Sequence, residues 1–170
     1  MTSNRLMWTV TAIGTALILF VQYCIRVSLE SRSPLETIPL LPGILHLTYL
    51  RGVGAAFSMF SDNNQFLLLI QIGSILFVTA VIFFISWLLS KFGKEIMKAL
   101  QFGVGLFLAG AISNTVEKIV FNENAVFIDV RSSQIPVLNF ADVSIYLGQV
   151  ISVISLIFLG IQFFVRQWRR

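Results

Sequence analysis

Four long apolar runs divide this chain, at about residues 6–25, 66–89, 99–120 and 143–165. Each is close to the roughly 20 residues that a helix needs to cross the hydrocarbon layer of a bilayer. Backbone groups in lipid find no water to bond, so such runs must satisfy themselves as helices. Composition agrees: 56% of the 170 residues are hydrophobic and 12% are charged, where soluble domains carry roughly 25% charged residues. The sequence therefore predicts one integral membrane domain over residues 1–170. The first run is read as a retained span. It is too long for a usual signal-peptide core and no small-x-small cleavage site follows it. Tyr23 before Cys24 also excludes a lipoprotein signal.

The formal charge of +4 does not point to nucleic acid. The basic residues flank apolar runs and form no stripe with interleaved aromatics. Cys24 is the only cysteine, so there is no disulfide framework. His46 is the only histidine and has no ligand-spaced partner, so it reads as packed or interfacial. No metal centre, no Ser-His-Asp set and no phosphate-binding glycine loop is present, and no cofactor is expected.

Basic residues orient the spans. With both termini cytoplasmic, that side holds Arg5, Lys91, Lys94, Lys98, Arg166, Arg169 and Arg170 against one acid, Glu95. The other side holds Arg26, Arg32, Arg51, Lys118 and Arg131 with the remaining acids. Trp8, Trp87 and Trp168 then fall near cytoplasmic ends, where interfacial tryptophans belong. The outer segments, about 26–65 and 121–141, form an extracytoplasmic cap. In the first, Pro34, Pro39 and Pro42 precede Thr48-Tyr49-Leu50, which suits a small sheet on the membrane. Gly52 to Phe60 mixes small and aromatic residues and suits a short interfacial helix.

The third run repeats small residues at Gly105, Ala109 and Ser113, a spacing that lets membrane helices approach closely. Asn114, Glu117 and Lys118 follow on nearly the same face, with the two charged residues expected at a water-facing end. In the fourth run, Tyr146, Gln149, Ser152 and Ser155 follow Asp142 at helical spacing and predict a polar stripe facing the bundle.

Asp129 and Asp142 each follow apolar residues at an outer membrane boundary. A carboxylate there is costly to desolvate, which makes it a candidate functional group. Two carboxylates that share a proton can split an amide: the charged one takes a proton from water, and the protonated one donates to the carbonyl. Ion or proton translocation is a second reading of such a pair. Capping of the fourth helix by Asp142 is a third.

Several strings, in order, resemble the prolipoprotein (type II) signal peptidases of bacteria. They are Leu41-Pro42-Gly43-Ile44-Leu45-His46-Leu47-Thr48-Tyr49, Gly54-Ala55-Ala56-Phe57-Ser58, Gly110-Ala111-Ile112-Ser113-Asn114, Val126-Phe127-Ile128-Asp129 and Leu138-Asn139-Phe140-Ala141-Asp142. The resemblance implies four transmembrane helices with a small extracytoplasmic β-cradle and an interfacial helix. It implies an aspartic endopeptidase of the cytoplasmic membrane that cuts diacylglyceryl-modified prolipoproteins before the lipidated cysteine. Asp129 and Asp142 match its catalytic positions. Asn114, Asn139, Arg51, Gly54, Ala55, Glu117 and Lys118 match substrate-binding or site-orienting positions. Its partners would be lipidated precursors and membrane lipids, with the chain acting as a monomer.

The chain also departs from that family's pattern. Val21-Gln22, with Arg26 nearby, stands where the family has an Asp-Gln-x-x-Lys string. Gly52 follows Arg51 where the family has asparagine, and Glu117-Lys118 replaces Asp-Arg. The departures imply altered substrate positioning. They leave two alternatives standing: a paralogue that binds precursors without cutting them, and a small ion or proton carrier.

Overall fold

Each apolar run becomes a helix, and three strands form within the described parts of the segments expected to make the cap. The computed structural model describes residues 4–29, 37–52, 64–88, 94–131 and 137–168. In chain order the elements are α1 (Arg5–Leu29), β1 (Thr37–Leu41), β2 (Leu45–Gly52), α2 (Asn64–Leu88), α3 (Lys94–Phe121), β3 (Asn124–Val130) and α4 (Phe140–Trp168). By length and composition α1, α3 and α4 can each cross a membrane, while α2 carries a shorter apolar stretch, Leu68–Val81. The expected interfacial helix, with Gly54 and Ala55, lies outside the described residues.

Helix α3 is central. It packs most extensively against α4, next against α1 and least against α2. Met7, Met97, Leu100, Val104, Leu108 and Leu159 form the buried apolar core, with Ile75, Val78 and Ile85 of α2 against it. Outward faces carry exposed Phe20, Phe77 and Phe164. Apolar surface of that extent suits lipid rather than water.

The small-residue stripe of α3 meets α1. A Cβ added at Gly105 would press on Val10 and the Met7 carbonyl, and one at Gly14 would press on the Ala109 Cβ. The contact with α4 uses a different set. A Cβ at Gly148 would run into the backbone of Gly103 and Phe107, and one at Gly110 into the Ala141 carbonyl. Backbone cannot yield as a flexible side chain does. Gly148→Val is therefore expected to cost about 1–3 kcal/mol or more, read as a lower Tm in detergent. An unchanged Tm would contradict this close approach.

The helices extend beyond the apolar runs. Helix α1 continues to Leu29, so Arg26 sits on a helix and not in the outer loop. It can do so because its charge is met inside the protein, as described below. Helix α4 starts at Phe140 and so holds Asp142 within its first turn. The polar stripe expected along α4 is corrected in its first half only: Tyr146 and Gln149 turn outward, whereas the Ser152 hydroxyl and Ser155 are buried. Tyr146 is 48% exposed and Gln149 is also exposed, while Ala141, Ser144, Gly148, Ser155 and Leu159 form the buried face. At about 100° per residue, the centre of that face lies about a third of a turn from Asp142. The series spaced from Asp142 therefore starts off the contact and enters it only at Ser152 and Ser155.

The three strands form one antiparallel sheet in the order β1-β2-β3. Pro42 and Gly43 turn the first hairpin: the Ile44 amide donates to the Leu41 carbonyl at 3.0 Å, and Gly43 has φ 75°. Proline followed by a left-handed glycine is the pattern of a type II turn. Asn122, at φ 58°, ends α3, as an asparagine can in the left-handed region. Strand β3 follows at once. Its alternation buries Ala125 and Phe127, which join Leu29 of α1 and Tyr49 of β2 in a second apolar cluster. The sheet is thus seated at the end of the bundle where α1 finishes, through the face that also carries Asp129.

Candidate active site

Asn139 and Asp142 build the start of α4 together. The Asn139 side-chain oxygen accepts from the Asp142 amide at 2.8 Å, and an Asp142 carboxylate oxygen accepts from the Asn139 amide at 3.1 Å. This reciprocal pair is a capping box with Asn and Asp in the two roles. It satisfies two donors at an otherwise open helix end and fixes the rotamer of Asp142. The other Asp142 oxygen accepts from the Asn114 side-chain amide at 2.9 Å. Asn139 donates in turn to the Asn114 side-chain oxygen at 3.0 Å and to the Ala125 carbonyl at 3.2 Å. Asn139 is 1% exposed and Asn114 is 7% exposed. The network therefore ties α3, β3 and α4 together, and its use of both ends of each amide sets their orientation.

Asp129 reaches the same corner from the sheet. Ile128 and Leu138 exchange backbone hydrogen bonds of 2.7 and 2.9 Å, and the Phe127 amide also donates to Leu138. These bonds stitch the residue before Asp129 to the residue before Asn139. The Phe127 and Phe140 rings pack at a tilt across the same joint, with centroids 5.4 Å apart and planes at 58°. The Asp129 carboxylate accepts from the Thr48 hydroxyl at 3.2 Å and from Arg131 Nε at 3.2 Å. Arg131 is exposed, so that ion pair contributes little. Two carboxylates from separate elements thus stand at one end of the bundle, Asp142 held by neutral amides and Asp129 by a hydroxyl and an exposed guanidinium. A carboxylate has about four acceptor sites, so capacity remains for a water or a substrate group.

A second polar cluster lies on the α1 side of α3. Glu117 accepts from Arg26 Nη2 at 2.9 Å and from the Gln22 side-chain amide at 3.0 Å. Arg26 Nη1 donates to Glu123 at 3.1 Å. The expectation that Glu117 and Lys118 meet water is corrected: they are 3% and 5% exposed. Asn114 and Glu117 also part company. Three residues along a helix leave them about 60° apart, enough for one to face α4 and the other α1.

The sequence-derived residues therefore divide. Asn114, Asn139 and Asp142 share one network; Asp129 is bonded outside it to Thr48 and Arg131, while its strand neighbour Ile128 pairs with Leu138, the residue before Asn139. Glu117 belongs to the neighbouring cluster. Arg51 pairs with Ala125 in the sheet. Sequence reasoning missed Thr48 as a partner of Asp129 and Glu123 as a partner of Arg26. Pairs so far apart in sequence leave no local signal. Among the described residues no His, Cys, Asp and Glu group could hold a metal ion.

Residues 10–158 match the sequence profile of the Signal peptidase (SPase) II family. The chain belongs to the signal peptidase II family. Among relatives, the lipoprotein signal peptidase of Microcystis aeruginosa is 33% identical over 156 residues, covering 89% of this chain and 92% of that protein. That of Nostoc punctiforme is 34% identical over 152 residues, 89% of each. Two solved structures share the fold, each described as a bacterial membrane enzyme solved by the in meso method. One, at 2.3 Å, has a TM-score of 0.70 and 22% identity, covering 89% of this chain and 87% of that one. The other, at 1.9 Å, has a TM-score of 0.67, 22% identity and coverage of 86% and 91%. The chain is thus a membrane-integral protease of the signal peptidase II family.

Membership gives the departures a structural meaning. Val21 is 36% exposed, whereas its neighbour Gln22 is 1% exposed and holds Glu117. On this stretch of α1 the buried polar contacts are made by Gln22 and Arg26, both to Glu117. The site network itself retains its asparagines. Asn139→Ala removes the cap and is expected to cost about 1–2 kcal/mol, with slower turnover because Asp142 loses its fixed rotamer. Thermal unfolding and a precursor-cleavage assay on one preparation measure both. Wild-type values in both would contradict the capping account.

Proposed function

We propose that Asp129 and Asp142 are the acid-base pair of a signal peptidase II that cleaves diacylglyceryl-modified prolipoproteins before the lipidated cysteine. The observation that carries this reading is the stitched joint between β3 and the start of α4, which supports bringing the two carboxylates to one site. One carboxylate, charged, takes a proton from a water. That water attacks the scissile carbonyl, while the protonated partner donates to the carbonyl oxygen. The same groups then return a proton to the leaving nitrogen. Two nearby carboxylates resist double ionisation, so the single shared proton belongs to the pair.

Asn114 and Asn139 orient the pair, since both Asp142 oxygens are held by them. Arg51, Gly54, Ala55, Glu117 and Lys118 are assigned to substrate binding or support of the site. The chain works as a monomer with four spans, both termini in the cytoplasm and the pair at the outer face of the cytoplasmic membrane. Basic residues at one end of the spans support that orientation.

The test is cleavage of a precursor whose cysteine carries diacylglycerol, by purified protein and by Asp129→Asn. Wild type should release the signal peptide and the variant should bind without cutting. Equal, negligible cleavage by both, with binding retained, would identify a non-cutting binder instead.

A further inference from the structure

Arg26 belongs to α1, which carries neither aspartate, yet its guanidinium is bonded toward both. Nη2 donates to Glu117 at 2.9 Å. Glu117 lies one helical turn beyond Asn114, which holds Asp142. Nη1 donates to Glu123 at 3.1 Å. Glu123 stands between Asn122, the left-handed residue that ends α3, and Asn124, the first residue of the strand that carries Asp129. The Phe121 ring covers the guanidinium, 4.0 Å from its carbon. Gln22 occupies the second oxygen of Glu117, so that carboxylate is gripped from two successive turns of α1. Arg26 is 5% exposed.

A guanidinium is a planar fork with donors at fixed angles. Gripping one carboxylate on each arm, it sets the spacing between the outer end of α3 and the first residues leading into β3. The direction in which β3 leaves α3 follows from that spacing. So does the place of Asp129 relative to Asp142, whose own position depends on Asn114 of α3. We propose that Arg26, through Glu117 and Glu123, is a positioning residue that sets the separation of Asp129 and Asp142. The inference rests on reading those two as the catalytic pair, and it deepens that reading.

An anchor that only holds the fold would affect the amount of folded protein and its Tm. A positioning residue also affects the turnover of each folded molecule, because a misplacement of 1 Å can cost about 10²-fold in rate. Arg26→Lys keeps a cation between the two glutamates but loses the fork. Its kcat is expected to fall about 10-fold or more, with KM within about 2-fold of wild type. Glu123→Gln keeps the side-chain shape and the bond from Arg26 to Glu117. It weakens the arm toward β3, and a smaller fall in kcat is expected.

The assay is cleavage of a diacylglyceryl-modified precursor by monodisperse detergent-solubilised protein, normalised to folded material, with Asp142→Asn alongside. Should Arg26→Lys fail to fold, Glu123→Gln carries the same test. Wild-type kcat in the folded variants, or an effect confined to KM or to Tm, overturns the positioning role while loss of activity in Asp142→Asn leaves the catalytic pair standing. Wild-type activity in Asp142→Asn overturns both.

Discussion

Asp142→Asn is expected to lower precursor cleavage by about 10²–10⁴-fold, the range that a positioned acid or base contributes, while leaving the protein folded. Asparagine has nearly the shape of aspartate. Its one carbonyl oxygen can still accept a bond from Asn114 or from the Asn139 amide, the two donors that now hold Asp142. Losing one of the two is worth about 1–2 kcal/mol, which lowers Tm without unfolding the bundle. The chemistry suffers far more, because a carboxamide neither takes nor shares the proton. Asp142→Glu makes a useful partner. It keeps the acid but lengthens the side chain by one methylene, so the capping box and the Asn114 bond cannot both be kept. It should also cut slowly. A variant at position 142 that folds and cleaves at the wild-type rate would remove Asp142 from the chemistry and leave it as a helix cap.

The largest expected effect on stability lies elsewhere, at Glu117. Removing this carboxylate with Glu117→Ala takes one of two glutamates from a guanidinium that is 5% exposed and takes the partner of Gln22 away. A buried ion pair is not in itself strongly stabilising, because desolvation offsets the attraction. Breaking one is costly, since the remaining charge stays buried, and a loss of about 3–5 kcal/mol is expected. Arg131→Ala is the control. Its ion pair with Asp129 is exposed, and its loss should change stability by less than about 1 kcal/mol. Thermal unfolding of the two variants in one detergent makes the comparison. Equal shifts in Tm would contradict the assignment of the Arg26 cluster as the buried clamp of the outer helix ends.

Much of this architecture was legible in the chain because its causes are local. Runs of apolar residues make helices, Pro42-Gly43 turns a hairpin, although only a small sheet was read there, and the Asn139 to Asp142 spacing is that of a capping box, although only a general capping role for Asp142 was read from it. What was not legible depends on contacts between distant segments. The spacing of Gly105, Ala109 and Ser113 marks a close-packed face but does not say that its neighbour is α1. Tyr146 and Gln149 share a face with Asp142, yet Asp142 sits at the rim of the α3–α4 contact, so that face turns outward. Glu117 and Lys118 look water-facing at the end of an apolar run. Only the fold brings Arg26 and Gln22 across from α1 to bury Glu117. Glu123 carried no signal at all, because its partner is 97 positions away. The family resemblance pointed to Asp129 and Asp142, and the geometry adds the scaffold around each.

The most direct test of the central claim is a double-mutant cycle on the cleavage of a diacylglyceryl-modified precursor, comparing Asp129→Asn, Asp142→Asn and the variant carrying both. Groups that act as one unit are strongly non-additive. Each single variant should therefore fall to nearly the same residual rate, and the double variant should be no slower. Independent losses that multiply in the double variant, or a single variant that retains the wild-type rate, would show that the two carboxylates do not work as a pair.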